Sequence, residues 1–159
     1  MVKLLIFSKM APKNFYIKLI FISALLILIF GCKNTVRDNL PNVFVDITLD
    51  LDKPEYYELN TLGNYVYITG GVSGIIVYHD LDGSFYAYER ACPYDYYDCG
   101  GRVSVTDINR GVCTDTLCCS SEFSITNRGA VLKGPAVTPL RMYKVYYYPN
   151  SNTLRITSY

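Results

Sequence analysis

The chain has 159 residues, of which half are hydrophobic, 14% aromatic and 18% charged, a composition that suits a single globular domain. Its formal net charge is +1, and because the first 31 residues hold four lysines and no acid, the remainder is mildly acidic. No cluster of basic side chains is available to meet phosphates, so nucleic acid is excluded as a partner.

Residues 1–31 are predicted to be a lipoprotein signal peptide. The unbroken apolar run LIFISALLILIF follows a lysine-punctuated start and is too short to span a bilayer. The segment IFGC, which ends at Cys32, resembles a bacterial lipobox, whose cysteine thiol receives a diacylglycerol. We therefore expect a membrane anchor on Cys32, since more than one acyl chain holds a protein firmly. A transmembrane helix that ends at a cysteine by chance is the alternative.

Residues 32–41 are polar and are predicted to be a lipidated tether that holds a domain, residues 42–159, away from the membrane. After cleavage the second residue would be Lys33 rather than an aspartate, so the inner-membrane retention signal known in enteric bacteria is missing. We expect the bacterial cell envelope, and the outer membrane rather than the inner. Export to an oxidising compartment makes the thiols of the domain candidates for disulfides.

From residue 42 onward apolar side chains alternate with a period near two, and no stretch of the mature part sustains a helical period. VFVDITLDL, NYVYITGG and GIIVYHD are predicted strands, and hairpin turns are predicted at Asp82-Gly83, at 127–129 and at 149–152. Sixteen tyrosines and no tryptophan favour an exposed sheet face or an aromatic platform for a sugar or peptide. The sequence predicts an all-β domain of stacked antiparallel sheets.

Three motifs carry a family resemblance. FYAYERACPY supplies Cys92-Pro93, CCSSEFS supplies Ser121 and Phe123, and GAVLKGPAVTPLRMYKV supplies a Gly-Pro-Ala loop followed by a Pro-Leu-x-x-Tyr strand. In this order the motifs resemble the Rieske [2Fe–2S] domain family, especially its lipoprotein form in Bacteroidetes-type bacteria. The resemblance implies stacked antiparallel sheets with a two-loop tip, which in the family binds the cluster.

The ligand positions depart from the family pattern. Counting along the motifs places Tyr94 at the first histidine, Thr116 at the second cysteine and Cys119 at the second histidine, so that only Cys92 matches in both type and place. A Rieske centre needs two histidines on one iron, and this chain has one histidine, His79. The standard Cys2His2 cluster is therefore not expected to form, and His79, beside a predicted hairpin, is expected to be a surface turn residue.

Three hypotheses compete for the cysteines other than Cys32. Disulfides are preferred in an exported chain, and a bridge between the two loops of the tip would replace the cross-link of the iron cluster. A metal with cysteine ligands, either zinc or [2Fe–2S], is the second hypothesis. A redox pair of free thiols is the third, and is disfavoured by the acidic neighbours of Cys118 and Cys119. The disulfide candidates are Cys92, Cys99, Cys113, Cys118 and Cys119, and the metal candidates are Cys92, Cys99, Cys113 and Cys119.

The preferred function hypothesis is a membrane-anchored lipoprotein of the cell envelope whose Rieske-like domain has lost the standard cluster and acts as a structural or interaction module with an envelope protein partner. The alternative is an envelope electron-transfer protein with an atypical cysteine-ligated [2Fe–2S] or zinc centre. An enzyme is not expected, because no Ser/His/Asp set is possible with His79 so placed. A Rieske oxygenase would need a further catalytic iron domain, which this length excludes.

Overall fold

A computed structural model of the chain describes residues 39–158, which form two antiparallel sheets, two short 3-10 helices and a single-turn helix. The predicted all-β class with stacked antiparallel sheets is confirmed for this part of the chain. The predicted signal peptide, Cys32 and most of the tether lie outside it. The strands are β1 (Asp46–Asp50), β2 (Tyr65–Ile68), β3 (Ile75–His79), β4 (Phe85–Glu89), β5 (Val103–Asp107), β6 (Val112–Asp115), β7 (Glu122–Ser124), β8 (Ala130–Lys133), β9 (Met142–Tyr148) and β10 (Thr153–Thr157).

The larger sheet has six strands in the order β1-β10-β9-β4-β3-β2. Strand β9 joins its two halves, because it pairs with β10 over residues 144–148 and with β4 at residues 142–143. Buried side chains from both halves pack into one hydrophobic core, which shows that the sheet curls around it. This first core contains Val45, Leu49, Leu51, Leu59, Ile68, Ile75, Val77, Ala87, Tyr143, Leu154 and Ile156.

The smaller sheet has four strands in the order β5-β6-β7-β8 and packs on the other face of β3 and β4. Alternate residues of β3 therefore serve two cores: Ile75 and Val77 lie in the first, and Ile76 and Tyr78 lie in the second. Burial on both faces explains why this strand is an unbroken apolar run rather than an alternating one. The second core also contains Tyr88, Cys92, Val103, Cys113, Phe123, Ile125, Ala136 and Leu140.

The predicted turns lie where the sequence places them. Turn residues around Asp82-Gly83 connect β3 to β4, residues 127–129 connect β7 to β8, and Pro149–Ser151 forms a 3-10 helix between β9 and β10. A second 3-10 helix, Pro54–Asn60, was not predicted, because its only buried residue is Leu59 and a single apolar contact leaves no periodic signal. No helix within residues 39–158 is long and apolar enough to cross a membrane.

A buried carboxylate, Glu89, lies at the end of β4 and connects this strand to two neighbouring segments. Its Oε2 accepts hydrogen bonds from the Val72 amide at 2.7 Å and the Tyr143 hydroxyl at 2.6 Å. Its Oε1 accepts from the Ser73 and Ala91 amides, both at 2.9 Å. A fully buried charge is tolerated in a protein when all its lone pairs are used in this way.

Candidate functional site

Two loops form the tip of the domain, defined here as residues 91–102 and 115–121. The first loop leads from β4 to β5 and contains the single-turn helix α1 (Tyr96–Cys99), and the second joins β6 to β7. Backbone bonds close the base of the first loop, from the Cys92 amide to the Gly101 carbonyl at 2.8 Å and from the Val103 amide to the Arg90 carbonyl at 2.7 Å. The ends of this loop are therefore held by the sheet.

A disulfide between Cys99 and Cys118 joins the two loops of the tip, with their Cα atoms 6.4 Å apart. The predicted disulfide is thereby confirmed, and its position across the loops is the one expected of a replacement for a metal cross-link. Both residues are predicted disulfide candidates, and Cys99 is also a predicted metal ligand, but a disulfide sulfur is no longer a thiolate and cannot act as a metal ligand. Cys92, Cys113 and Cys119 remain free thiols.

The thiol of Cys113 lies apart from this tip, in the second core. It is fully buried on β6 and donates to the carbonyl of Phe123 at 3.6 Å. Burial raises the pKa of the Cys113 thiol to about 12. The structure therefore places Cys113 as a core side chain rather than with the other thiols of the predicted metal set.

Four potential ligands converge between the loops, and we name them the tip cluster: Cys92, Asp95, Asp115 and Cys119. Their ligand atoms all lie within 4.8 Å of one another. The two sulfurs are 3.9 Å apart, and Cys119 Sγ is 3.4 Å from Asp115 Oδ2. Three members are buried, and Cys119 is partly exposed. The cluster therefore brings two thiols and two carboxyl groups to one small, largely dry volume.

Asp115 organises the second loop. Its carboxylate accepts the backbone amides of Leu117 at 3.1 Å, Cys118 at 3.3 Å and Cys119 at 3.4 Å. Burial alone would raise the pKa of Asp115, but the amide of Leu117 and the thiol and amide of Cys119 outweigh it and hold this pKa below its ordinary value. The group is therefore an anion at neutral pH.

The two thiols of the cluster differ in the hydrogen bonds that surround them. Burial raises the pKa of Cys92 strongly. Burial also raises the pKa of Cys119, but the hydroxyl and the amide of Ser121 oppose the shift. Ser121 Oγ accepts the amide of Ala136 at 3.0 Å, so its own proton is free to be donated to Cys119 Sγ, 2.9 Å away. Because both pKa values are raised, both thiols stay protonated at neutral pH.

Asp95 is the member whose hydrogen bonding is incomplete. The residue is 6% exposed, and its Oδ1 is buried with no hydrogen-bond partner. Gly101 leaves the room that this carboxyl group occupies, because a Cβ at Gly101 would overlap Asp95 Oδ1 and lie 2.9 Å from Asp115 Oδ2. A buried carboxyl oxygen without a partner costs stability.

Of the predicted metal set, the structure brings together Cys92 and Cys119 only. The substituted ligand positions Tyr94 and Thr116 are exposed, whereas Cys119 at the second histidine position is inside the cluster. Sequence reasoning missed Asp95 and treated Asp115 only as a charge that disfavours thiolates. The spacings Cys-x2-Asp and Asp-x3-Cys are the local signal that could have indicated them.

His79 is not at the tip cluster. It is the last residue of β3 rather than a surface turn residue, and it is partly buried. Its ring stacks on Phe85 with centroids 4.0 Å apart, and Nδ1 donates to the Leu59 carbonyl at 2.8 Å. Within residues 39–158, no cluster of potential metal ligands includes a histidine.

The donors at the tip do not fit a [2Fe–2S] cluster. The Rieske form needs two imidazoles, and the tip has none in the part of the chain that the structure describes. A cluster with four cysteine ligands does not fit either, since Cys99 and Cys118 are bridged and Cys113 lies in the core. The arrangement offers two sulfurs and two carboxylates to one cation instead.

Comparisons with known proteins add a fold likeness. No family model matches the chain, and no curated protein matches it. One of the solved structures that matches comes from Mycobacterium tuberculosis and is described as an NADH-dependent nitrite reductase small subunit. It is 15% identical, with a TM-score of 0.44, and the match covers 74% of this chain and 98% of that one. At this identity and TM-score the likeness carries no argument about family or activity.

Proposed function

We propose that this protein is a lipid-anchored lipoprotein of the bacterial cell envelope whose Rieske-like domain lacks the Cys2His2 cluster and serves as a structural or interaction module. The observation that carries the proposal is the Cys99–Cys118 disulfide, which joins the two loops that would otherwise be cross-linked by iron. A disulfide also supports export, because such bonds persist in oxidising compartments. The apolar run and the cysteine of the IFGC segment support the anchor.

The surface of the tip supports an interaction role. Tyr94, Tyr97 and Leu117 are 56%, 67% and 70% exposed, and Val137 in the neighbouring loop is 81% exposed. Exposed aromatic side chains are enriched in protein interfaces, where Tyr supplies contact area at a small entropic cost. A protein partner in the envelope is therefore proposed to bind at this end of the domain.

The absence of the cluster is tested on anaerobically purified full-length protein. We expect an absorption spectrum without visible iron–sulfide bands, no sulfide on chemical analysis, and mass spectrometry that finds Cys99 and Cys118 in one linked peptide. A two-iron, two-sulfide signature in the native protein would overturn the proposal.

The anchor is tested by the Cys32→Ala variant, which should move from the membrane pellet to the soluble envelope fraction. Lys33→Ala is the matched control and should stay with the membrane. Membrane association of Cys32→Ala equal to that of the control would contradict the lipid anchor. Lys33→Asp in an enteric host tests the choice of membrane, since it creates the inner-membrane retention signal and should shift the protein from the outer to the inner membrane.

The interaction role is tested by a photo-crosslinking amino acid introduced at Leu117. The matched control carries it at Leu81, a leucine of similar exposure in the turn between β3 and β4. Cross-links to an envelope protein should form from Leu117 and not from Leu81. Equal adducts from both positions would show that the tip has no special role in binding.

A further inference from the structure

We propose that the tip cluster is a mononuclear site for a divalent cation, with Zn²⁺ as the preferred ion, held by Cys92, Asp95, Asp115 and Cys119. The site goes beyond the proposed function, from which it takes only the absence of a [2Fe–2S] cluster. At this site a single cation, in place of a [2Fe–2S] cluster, would stabilise the two loops of the tip.

Two separations between donors match those around a single tetrahedral ion. With Zn–S about 2.3 Å and Zn–O about 2.1 Å, tetrahedral geometry places two sulfurs about 3.8 Å apart and a sulfur and an oxygen about 3.6 Å apart. The observed separations are 3.9 Å between Cys92 Sγ and Cys119 Sγ and 3.4 Å between Cys119 Sγ and Asp115 Oδ2. Each pair could therefore bind one ion without a large movement of the backbone.

Asp95 is the independent observation that indicates a ligand. Its buried Oδ1 has no hydrogen-bond partner, although the residue is only 6% exposed and points into the cluster. A bound cation would satisfy this oxygen. Gly101 is consistent with the same role, because any side chain there would take the space of the two carboxyl groups.

The charges and the surrounding hydrogen bonds favour the site with a bound cation and two thiolates over the cation-free site with two neutral thiols. Binding releases one proton from each thiol to solvent, which leaves two thiolates and two carboxylates around the ion, the same total charge as in a zinc site with four cysteine ligands. Ser121 then donates to the thiolate of Cys119, and the amides of Leu117 and Cys118 donate to Asp115. Such outer contacts orient the ligands of metal sites. The disulfide fixes Cys118, and because Cys118 directly precedes Cys119 it also holds this ligand in place.

The test uses full-length protein, purified in detergent without oxygen and stripped of metal with a chelator. Co²⁺ is added first, because thiolate ligation gives a near-ultraviolet charge-transfer band and tetrahedral geometry gives strong visible bands. We expect both bands to saturate at one equivalent of Co²⁺ and to disappear when Zn²⁺ displaces it. Bound Zn²⁺ should also raise the melting temperature. No cobalt–thiolate band at one equivalent would overturn the inference.

Asp95→Asn separates a metal ligand from a structural carboxylate. It should weaken Zn²⁺ binding by about 100-fold or more, since even outer partners of metal ligands are worth about 10–100-fold. Its metal-free melting temperature should equal or exceed that of the wild type, because a neutral amide costs less to bury than an acidic side chain whose Oδ1 has no hydrogen-bond partner. Asp98→Asn, an exposed carboxylate of the same loop, is the matched control and should bind normally. Equal affinity of Asp95→Asn and wild type would contradict the site.

The alternative to metal binding is a second disulfide, between Cys92 and Cys119. Peptide mapping of protein taken directly from the envelope should find Cys92 and Cys119 reduced, and a Cys92–Cys119 disulfide there would overturn the inference. This result is distinct from failure of the proposed function. Iron with sulfide would remove the proposed function, whereas a protein without any metal would remove the zinc site alone.

Discussion

Glu89→Gln tests whether the buried carboxylate at the end of β4 holds the curled sheet together. Each of its oxygens accepts two hydrogen bonds, so the amide group of glutamine cannot replace either oxygen without turning a donor toward a donor. If the amide takes the place of Oε1, the Ser73 and Ala91 amides both lose their acceptor. If it takes the place of Oε2, the Tyr143 hydroxyl reverses to accept, and only the Val72 amide loses its acceptor.

The second orientation is therefore preferred, and it sets the size of the effect. One buried amide without a partner costs about 1–3 kcal/mol, and the remaining bonds lose their charge assistance, while the cost of burying a charge disappears. We expect a loss of about 2–4 kcal/mol in the free energy of unfolding. Tyr143→Phe removes one donor and leaves the carboxylate in place, so it should cost about 1–2 kcal/mol.

The assay is urea unfolding of the full-length protein in detergent, followed by far-ultraviolet circular dichroism, with the midpoint and the slope compared among variants. The double variant should not be the sum of the two single ones, because Tyr143 is the group that rescues the glutamine. A coupling of at least about 0.5 kcal/mol is expected. Stability of Glu89→Gln within about 0.5 kcal/mol of the wild type would refute the four-acceptor arrangement.

Three further predictions concern the tip and the cores. Gly101→Ala should destabilise the protein by about 1–3 kcal/mol, since the new Cβ overlaps the Asp95 carboxyl group; urea midpoints measure it. Loss of the disulfide in the Cys99→Ala, Cys118→Ala double variant should cost about 3 kcal/mol for a separation of 19 residues, measured in the same way. Burial, and then the hydrogen bond to Glu89, raise the pKa of Tyr143, so this group stays protonated in the folded state while tyrosines of the unfolded chain ionise near pH 10. Stability should therefore fall as the pH rises above about 10, and melting temperatures should fall less steeply in Tyr143→Phe.

Controls make these outcomes decisive. Gly134→Ala meets no atom nearer than 3.6 Å and should leave the midpoint unchanged, so an equal loss at Gly101 and Gly134 would contradict the clash. For the disulfide, the double variant should resemble wild type treated with a reductant, and a wild type insensitive to reduction would show that the bridge adds nothing. If the melting temperature falls equally steeply at alkaline pH in wild type and Tyr143→Phe, Tyr143 is not the source of that loss of stability.

The parts of the fold that were predictable are those encoded by local chemistry. Asp82-Gly83, the Asn127 to Gly129 segment and the Pro149 to Asn152 segment each combine turn-forming residues between strand-like runs, so their turns follow from short-range conformational preference. Period-two alternation located most strands. Strand β3 could be identified by its β-branched residues and flanking glycines, but its burial on two faces is a property of the packed sheets.

The candidate site was only half predictable, for a different physical reason. Cys92 and Cys119 could be inferred because the motifs around them are contiguous, and the disulfide could be expected from the number of cysteines on two facing loops. The choice of Cys99 and Cys118 as partners depends on how those loops meet, which spacing does not determine. Asp95 and Asp115 resemble ordinary surface carboxylates in the sequence, and only tertiary structure shows that both are buried beside sulfur.

The pairing of β1 with β10 has a consequence for engineering. Asp46 is opposite Thr157, and the amide of Ser158 bonds to the carbonyl of Val45 at 2.8 Å, so the first and last strands of the domain lie side by side. A short peptide could join these ends while the chain is opened at the Asp82-Gly83 turn. The resulting circular permutant would retain every strand pair and would show whether the order in which the strands are synthesised matters for folding.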